Sequence, residues 1–178
     1  MTVEVRSLAA ADVPPALLID LRQLLIDAFE GDFSDDDWQH TVGGWHVIGS
    51  EGGAVVSHAA VVPRTIGVGD VVFAAGYVEA VATTPHRQRQ GLGSQVMAEG
   101  AVVIRREFDL GVLSTSRADF YRQMGWQRWQ GPTFVRDGAQ LVRTEDEDDG
   151  IMVLRFGPSQ AIDLEAPISC DARSGDDW

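Results

Sequence analysis

The strongest constraint in the sequence is an abrupt change of pattern on either side of a short glycine-containing segment. Residues Tyr77 to Thr83 are typical of a strand, and from Gly91 to Phe108 the apolar residues recur at helical spacing. The segment Gln88-Arg89-Gln90-Gly91-Leu92-Gly93 joins the two. Glycine lets a backbone approach a ligand closely, and the N–H groups and positive dipole end of a first helical turn suit a pyrophosphate. The segment is therefore a candidate anion site.

A glycine pair by itself more often marks an ordinary helix start with a solvated basic turn. Here His86, Arg87 and Arg89 form the densest basic cluster of an otherwise acidic chain, which favours the anion site. The segment lacks the G-K-[ST] of a Walker A loop. It also matches only the G-x-G of a dinucleotide-binding fingerprint and follows a strand that we expect to be antiparallel.

The remaining patterns predict an α+β fold with one mixed, mostly antiparallel sheet flanked by helices. An amphipathic helix is expected where apolar residues recur from Leu17 to Phe29, and a loop or short irregular helix is expected over Gly31 to Gly44. A further short helix is predicted over Arg117 to Met124. Strands are predicted at Val3–Ser7, Trp45–Ile48, Ala54–Val62, Val71–Phe73, Val112–Leu113, from Gly125, at Phe134–Arg136 and at Ile151–Phe156.

Length and charge limit the class of protein. A chain of 178 residues with 44% hydrophobic content fits one domain over residues 1–178. The formal charge of -13 argues against nucleic acid as the main partner and is compatible with a cationic one. No membrane span or export signal is evident, so we expect a cytoplasmic location. The single Cys170 and the lack of a Cys/His cluster predict neither a disulfide nor a metal site.

In its strand-before, helix-after context, Gln88-x-x-Gly91-x-Gly93 resembles the acetyl-CoA signature Q/R-x-x-G-x-G/A of the GNAT superfamily. Segments along nearly the whole chain narrow the resemblance to the aminoglycoside 2'-N-acetyltransferases. These segments are Gly31–Phe33, Asp37–Thr41, Gly76–Glu79, Tyr121 with Gly125-Trp126, Asp148–Gly150, Cys170-Asp171 and Gly175–Trp178.

The resemblance implies a GNAT fold and a ternary complex in which the 2'-amine of the acceptor attacks acetyl-CoA directly. It implies that the pantetheine arm is held by the backbone of Val81, Ala82 and Thr83. The pyrophosphate would then be held by Gln88, Arg89, Gln90, Gly91, Leu92 and Gly93. The aminoglycoside would be contacted by Asp32, Asp37, Glu79, Ala80, Ser114, Asp148, Asp176 and Trp178. The relatives also suggest a homodimer.

The chemistry of acetyl transfer suits three of these residues. An amine must lose a proton before it attacks, and Glu79 is a candidate base because a carboxylate within an apolar strand is costly unless it is paired or functional. It is equally consistent with a position on a solvent-facing strand surface, and the α-carboxylate of Trp178 is a rival base under the resemblance. Tyr121 would protonate the departing thiolate; without the resemblance it would be a packed aromatic residue.

Acidic and aromatic residues supply the candidate acceptor site. The runs Asp32–Asp37, Glu145–Asp149 and Asp171–Asp177 would bind a polyamine sugar if their carboxylates converged, although most such acids lie on solvated loops. A calcium loop at Glu145 is excluded because Phe156 stands at position twelve. We expect Trp45, Trp126 and Trp129 in the core, whereas Trp38 and Trp178 are candidates for stacking on a sugar ring.

Two other functions fit the same residues. One is acetylation of an endogenous amine, such as a polyamine or a cell-wall amino sugar. The other is a non-catalytic domain that binds an acyl-CoA or a cation. The retention of Glu79, Tyr121 and the glycine pair argues against the second.

Overall fold

The computed structural model of the protein describes residues 2–178. The helices are α1 Pro15–Ala28, α2 Asp35–Thr41, α3 Leu92–Glu107 and α4 Ala118–Arg122. The strands are β1 Glu4–Ala9, β2 Trp45–Glu51, β3 Ala54–Val68, β4 Val71–Thr83, β5 Leu110–Ser114, β6 Gln127–Arg128, β7 Thr133–Asp137, β8 Gln140–Arg143, β9 Ile151–Arg155 and β10 Ile168–Asp171. Short 3-10 turns lie at Ala10–Asp12, Pro85–Arg87, Glu145–Glu147 and Gly157–Ser159.

The strands follow one another in the sheet in the order β6-β9-β5-β4-β3-β10-β7-β8, with β2 also on β3 and β1 on β2. Strand β4 is parallel to β5, and β10 is parallel to β7. The pairings of β1 with β2, β2 with β3, β5 with β9 and β7 with β8 are antiparallel. The expected α+β class with a mixed, mostly antiparallel sheet is therefore confirmed.

Most predicted elements are present, and the differences lie in short or continuous strands. The first strand, the amphipathic helix and the long helix form β1, α1 and α3. The two stretches Val71–Phe73 and Tyr77–Thr83 are parts of the single strand β4. Strands β8 and β10 were not predicted because each has only four residues, which is too short for a period to be visible.

Contacts divide the chain into two compact units, each built from two stretches of sequence. Among the described residues, unit 1 comprises 2–62 and 78–103, and unit 2 comprises 63–77 and 104–178. The expectation of a single domain stays a prediction. Among residues 2–178, no helix has the length and apolar character that a membrane span requires.

In unit 1, the antiparallel pair β2 and β3 has helices on both faces. A Cβ added to Gly100 of α3 would lie 3.7 Å from a methyl group of Val61 and 4.0 Å from one of Val47, so α3 packs closely on that face. Ile48 points to the other face, where it is buried with Leu21 of α1. Trp38 of α2 packs against the same cluster, so its ring contributes to the core.

In unit 2, two tryptophans fill the core as the sequence predicted. Trp126 and Trp129 are 2% and 1% exposed, and Nε1 of Trp129 donates to the Ala166 carbonyl at 3.0 Å. A Cβ on Gly111 of β5 would lie 2.9 Å from Cβ of Leu154 and 3.1 Å from the Trp126 ring, so the packing requires glycine there. Trp45 of unit 1, also expected in the core, is only half-buried.

Candidate active site

The predicted anion segment forms a loop that ends where α3 begins. Gly91 has φ +81°, a left-handed conformation that favours glycine, and no atom lies within 4 Å of the position of an added Cβ. Its carbonyl accepts from the N–H of Gln95 at 3.1 Å, which makes Gly91 the cap of the helix. Arg89 is also left-handed, at φ +59°. The N–H groups of the first turn of α3 have no partner within the helix, which suits an anion.

The basic cluster beside this loop is not uniformly available to a ligand. Arg87 forms an ion pair with Glu51, at the end of β2, and its Nε donates to Oε1 of Gln90 at 2.9 Å. The Arg87 hydrogen bond lowers the pKa of Glu51 below its usual range. Arg89, by contrast, is exposed. Arg87 thus holds the loop to the β2–β3 turn, and Arg89 remains the cation of this segment most accessible to a phosphate.

The end of β4 has an irregular backbone next to the candidate base. Ala80 has φ +49°, which an L-residue rarely adopts inside a strand, and its carbonyl lies 3.0 Å from Nδ1 of His58. Glu79 is half-buried on this strand. The residues expected to bind pantetheine, Val81, Ala82 and Thr83, follow immediately. The amide of Gln88 donates to the Thr83 carbonyl at 3.4 Å, so the side chain of Gln88 turns back towards the strand.

In unit 2, Tyr121 lies on the short helix α4. Its ring meets the rings of Phe120 and Trp126 edge-on, with centroids 4.9 and 6.3 Å away. Burial raises the pKa of Tyr121 to about 12, and the charge of Arg117 acts in the opposite direction. The phenol therefore keeps its proton throughout the neutral range, as an acid must. The phenolate of Tyr121 is a stronger base than a thiolate, however. With the pKa of the unliganded protein, complete transfer of the proton from Tyr121 to the thiolate of CoA is therefore unfavourable.

The polar side chains predicted to bind the acceptor differ in whether they already form hydrogen bonds within the protein. Asp32 and Asp176 are exposed. Oδ2 of Asp37 accepts from N and Oγ of Ser34, each at 2.7 Å, and so completes the capping box of α2. Ser114 is exposed at the end of β5, and its hydroxyl donates to Oε2 of Glu147 at 3.3 Å.

Asp148 is the most heavily bonded of these acids. Its Oδ1 accepts from Arg143 Nη1 at 2.7 Å and from the N–H and hydroxyl of Thr133 at 3.0 and 2.9 Å. Its Oδ2 accepts from Arg143 Nη2. The Arg143 guanidinium, together with the Thr133 donors, holds the pKa of Asp148 well below its usual range. Asp148 therefore acts first as a structural anchor in unit 2.

The segment 171–178 is fixed by an arginine that the sequence did not single out. Nη1 of Arg64 donates to the Asp177 carbonyl and Nη2 donates to the Asp171 carbonyl, the latter at 2.6 Å. The guanidinium also lies 5.0 Å from the ring centroid of Tyr77. Trp178 is only 7% exposed, so little of its ring surface is open to a sugar, and its role in acceptor binding stays a prediction. The ring is held by a hydrogen bond to Thr144.

A thiol and a pair of imidazoles are buried in the two units. Cys170 is fully buried and burial raises the pKa of its thiol to about 11, which agrees with its interpretation as a small apolar residue. His46 and His58 are also fully buried, side by side in unit 1. Sequence reasoning missed them, although an imidazole inside an apolar strand is costly to bury and was the available signal.

The chain is similar in sequence to known acetyltransferases. Residues 5–129 match the family model of the acetyltransferase (GNAT) domain. The chain is 44% identical over 161 residues to the aminoglycoside 2'-N-acetyltransferase of Mycolicibacterium fortuitum, with 88% of this chain and 83% of the relative covered.

Solved structures share the fold at low identity. The GNAT family N-acetyltransferase YhbS of Escherichia coli, in complex with CoA, gives a TM-score of 0.69 at 14% identity, over 94% of this chain and 89% of that one. A GNAT family acetyltransferase of Brucella melitensis, in complex with acetyl-CoA, gives 0.63 at 18% identity, over 94% of each chain. These likenesses confirm the GNAT fold expected from the sequence.

Proposed function

Because the chain belongs to the GNAT acetyltransferases and, among them, to the family of the aminoglycoside 2'-N-acetyltransferases, we propose that it transfers an acetyl group from acetyl-CoA to the 2'-amine of an aminoglycoside. The observation that carries this proposal is the similarity to the Mycolicibacterium fortuitum enzyme over most of both chains. The acetylated amine loses its positive charge, so the reaction would confer resistance to the antibiotic.

Acetyl-CoA is the proposed cosubstrate. Its pyrophosphate would lie on the loop Gln88–Gly93, where the N–H groups of the first turn of α3 and exposed Arg89 favour negative charge. Its pantetheine arm would bond to the backbone of Val81, Ala82 and Thr83. Acetyl-CoA is a cytoplasmic metabolite, so we place the reaction in the cytoplasm. A homodimer is part of the same proposal.

The acceptor is a polycation, and the carboxylates assigned to it divide into two kinds. Asp32 and Asp176 are exposed and would pair directly with ammonium groups. Asp37 has one oxygen in a helix cap, and Asp148 has both oxygens in hydrogen bonds. These two would contact the acceptor only through their remaining lone pairs. Ser114, Glu79, Ala80 and Trp178 complete the proposed acceptor site.

The reaction needs one base and one acid. Glu79, or the α-carboxylate of Trp178, would remove a proton from the amine, and the nitrogen would attack the thioester carbonyl. The attacking nitrogen loses its second proton to solvent, the C–S bond of the tetrahedral intermediate breaks to leave the amide, and the hydroxyl of Tyr121 gives its proton to the leaving sulfur. Because the pKa of Tyr121 is raised to about 12, the proton moves only as negative charge develops on the sulfur.

The test is thiol release from acetyl-CoA with pairs of aminoglycosides that carry either an amine or a hydroxyl at the 2' position, with spermidine alongside. Turnover restricted to the 2'-amino compounds, with the product's acetyl group located by NMR, supports the proposal. Turnover with spermidine alone would indicate an endogenous amine as the substrate. Binding of acetyl-CoA without thiol release would indicate a non-catalytic domain.

A further inference from the structure

Two histidines are buried together in the β2–β3 pair of unit 1. His46 pairs across the strands with Ala60, and His58 precedes Ala60 by two residues, so the two imidazoles are diagonal neighbours on one face. Both side chains are 0% exposed, and Nδ1 of His46 lies 3.0 Å from Nε2 of His58. Ile48, directly opposite His58, belongs to the apolar cluster of α1. The pair therefore lies within an apolar core.

The hydrogen bonds fix which nitrogen of each ring carries the proton. Nδ1 of His58 lies 3.0 Å from the Ala80 carbonyl, which can only accept, so this nitrogen carries hydrogen. Nε2 of a neutral His58 is then a lone pair, and His46 must donate to it from Nδ1. Among residues 2–178, no hydrogen-bond donor reaches the remaining Nε2 of His46. Both rings are thus neutral Nδ1–H tautomers: His46 donates to His58, and His58 donates to the Ala80 carbonyl.

The carbonyl that accepts the hydrogen bond from His58 belongs to a peptide group with an unusual conformation. Ala80 has φ +49° near the end of β4, next to the candidate base Glu79. In a planar trans peptide, the C=O of residue 80 and the N–H of residue 81 point in opposite directions. Because the carbonyl is directed at His58, the N–H of Val81 is directed away from it. A hydrogen bond to the carbonyl also polarises the peptide and makes its N–H a better donor.

We propose that His46 and His58 form a positioning relay that orients and polarises the Ala80–Val81 peptide, so that the Val81 N–H stabilises the oxyanion formed when the acetyl thioester is attacked. The relay rests on the proposed acetyl transfer, since only that reaction develops a charge on the thioester oxygen. His58 acts through the peptide and does not touch the substrate. His46 selects the tautomer of His58.

The strained backbone is consistent with this role. The left-handed region is unfavourable for alanine, and burying two imidazoles, one with an unused acceptor, adds a further cost. An apolar pair at positions 46 and 58 would avoid both imidazoles but would leave the Ala80 carbonyl without its donor. The structure therefore retains a costly arrangement whose direct effect is the orientation of one peptide.

The test compares two replacements of His58 with a neighbouring control. His58→Asn keeps a donor near the position of Nδ1, whereas His58→Leu fills similar space without one. Ile48→Val loosens the same core without removing a hydrogen bond. We expect kcat to fall at least about 10-fold in His58→Leu, with KM for acetyl-CoA changed less than about 3-fold. His58→Asn should recover most of the loss, and Ile48→Val should stay close to the wild type. Equal losses in both His58 variants, or none in His58→Leu, would overturn the relay.

A second measurement on the wild-type protein does not depend on activity or on the folding of a variant. Ring ¹⁵N spectra should show both histidines protonated at Nδ1 and bare at Nε2; a proton on Nε2 of either ring would contradict the relay. If no amine is acetylated, the proposed function fails, yet the relay is still tested by the Val81 amide shift during acetyl-CoA titration. That shift should be large in the wild type and small in His58→Leu, and equal shifts would overturn it.

Discussion

Nε1 of Trp178 donates a hydrogen bond to Oγ1 of Thr144 at 3.2 Å. The Thr144 hydroxyl in turn donates to Oγ1 of Thr133 at 2.9 Å, and the Thr133 hydroxyl lies 2.9 Å from Oδ1 of Asp148. Asp148, within the acidic run Glu145–Asp149, is thereby connected to the indole of Trp178, whose α-carboxylate is a candidate base. Two of the residues assigned to the acceptor by resemblance are thus parts of one hydrogen-bonded network in unit 2.

Asp148→Asn tests whether this carboxylate anchors the fold. The Arg143 pair lowers the pKa of Asp148 in the folded state, so its stabilisation is present above the unfolded value of 3.8 and is lost as the pH falls below it. We expect the variant to lose about 1–3 kcal/mol of unfolding free energy at pH 7, with a smaller difference at pH 3. Chemical denaturation at both pH values measures this.

Asp149→Asn is the matched control for that experiment. Asp149 is exposed and pairs with Arg128 at the surface, so its replacement should cost less than about 1 kcal/mol. If Asp148→Asn left stability unchanged at pH 7 while aminoglycoside affinity fell, Asp148 would be a substrate contact and not an anchor.

Arg64→Lys should loosen the segment 171–178. An ammonium group cannot reproduce the two fork-shaped bonds to the Asp171 and Asp177 carbonyls, nor the stacking on Tyr77. Amide hydrogen exchange in this segment should quicken about 10-fold or more, equivalent to roughly 1.4 kcal/mol of local opening. Arg122→Lys, in an exposed pair with Asp119, is the control and should leave the exchange unchanged.

His58 should make the protein less stable in mild acid. Burial lowers the pKa of His58 from 6.5 to about 3, so between these values the unfolded chain binds a proton that the folded chain does not. Stability is then greatest above pH 6.5 and falls by up to about 1.4 kcal/mol per pH unit towards pH 3. Urea unfolding between pH 7 and 5 should show this slope, reduced in His58→Asn. The exposed His86→Asn is the control, and an equal slope in both variants would refute the assignment.

Gly91→Ala and Gly100→Ala should have opposite effects on stability, because Gly91 caps α3 in a left-handed conformation and Gly100 lies within the helix. No atom opposes a Cβ at Gly91, so its cost comes from the left-handed backbone at φ +81°, about 1 kcal/mol of stability. Acetyl-CoA binding should also weaken, because the strained loop shifts its N–H groups. At Gly100 the nearest atom is 3.7 Å away, so alanine should stabilise α3 by up to about 1 kcal/mol. Thermal unfolding and calorimetric titration with acetyl-CoA measure both.

Tyr121→Phe should lower kcat by about 100-fold, the lower end of the range for acid catalysis, since a phenol with its pKa raised to about 12 is a weak acid. KM for the amine should change little. Because the phenol keeps its proton up to about pH 12, kcat/KM should not fall below pH 10 through ionisation of Tyr121. A pH profile of thiol release tests this, and a Tyr121-dependent fall in rate between pH 8 and 10 would contradict it.

Much of the fold could be predicted from local patterns. The apolar spacing of α1 and α3 and the alternation of β1 are visible in windows of a few residues, because side chains on one face recur at the period of the element. Strands β8 and β10 were missed because four residues carry too little period. Their existence depends on pairing with β7, which is a property of the assembled sheet.

The sequence alone determined the order of the longer elements, the glycine cap at the start of α3 and the family, since each depends on residue types at fixed spacing. Only the tertiary structure decided the environment of each side chain. It turned Trp178 inwards onto Thr144, engaged both oxygens of Asp148, raised the pKa of Tyr121 and brought His58 to the Ala80 carbonyl. Residues 58 and 80 are far apart in the chain, and burial and hydrogen bonding between such positions arise only when the strands assemble.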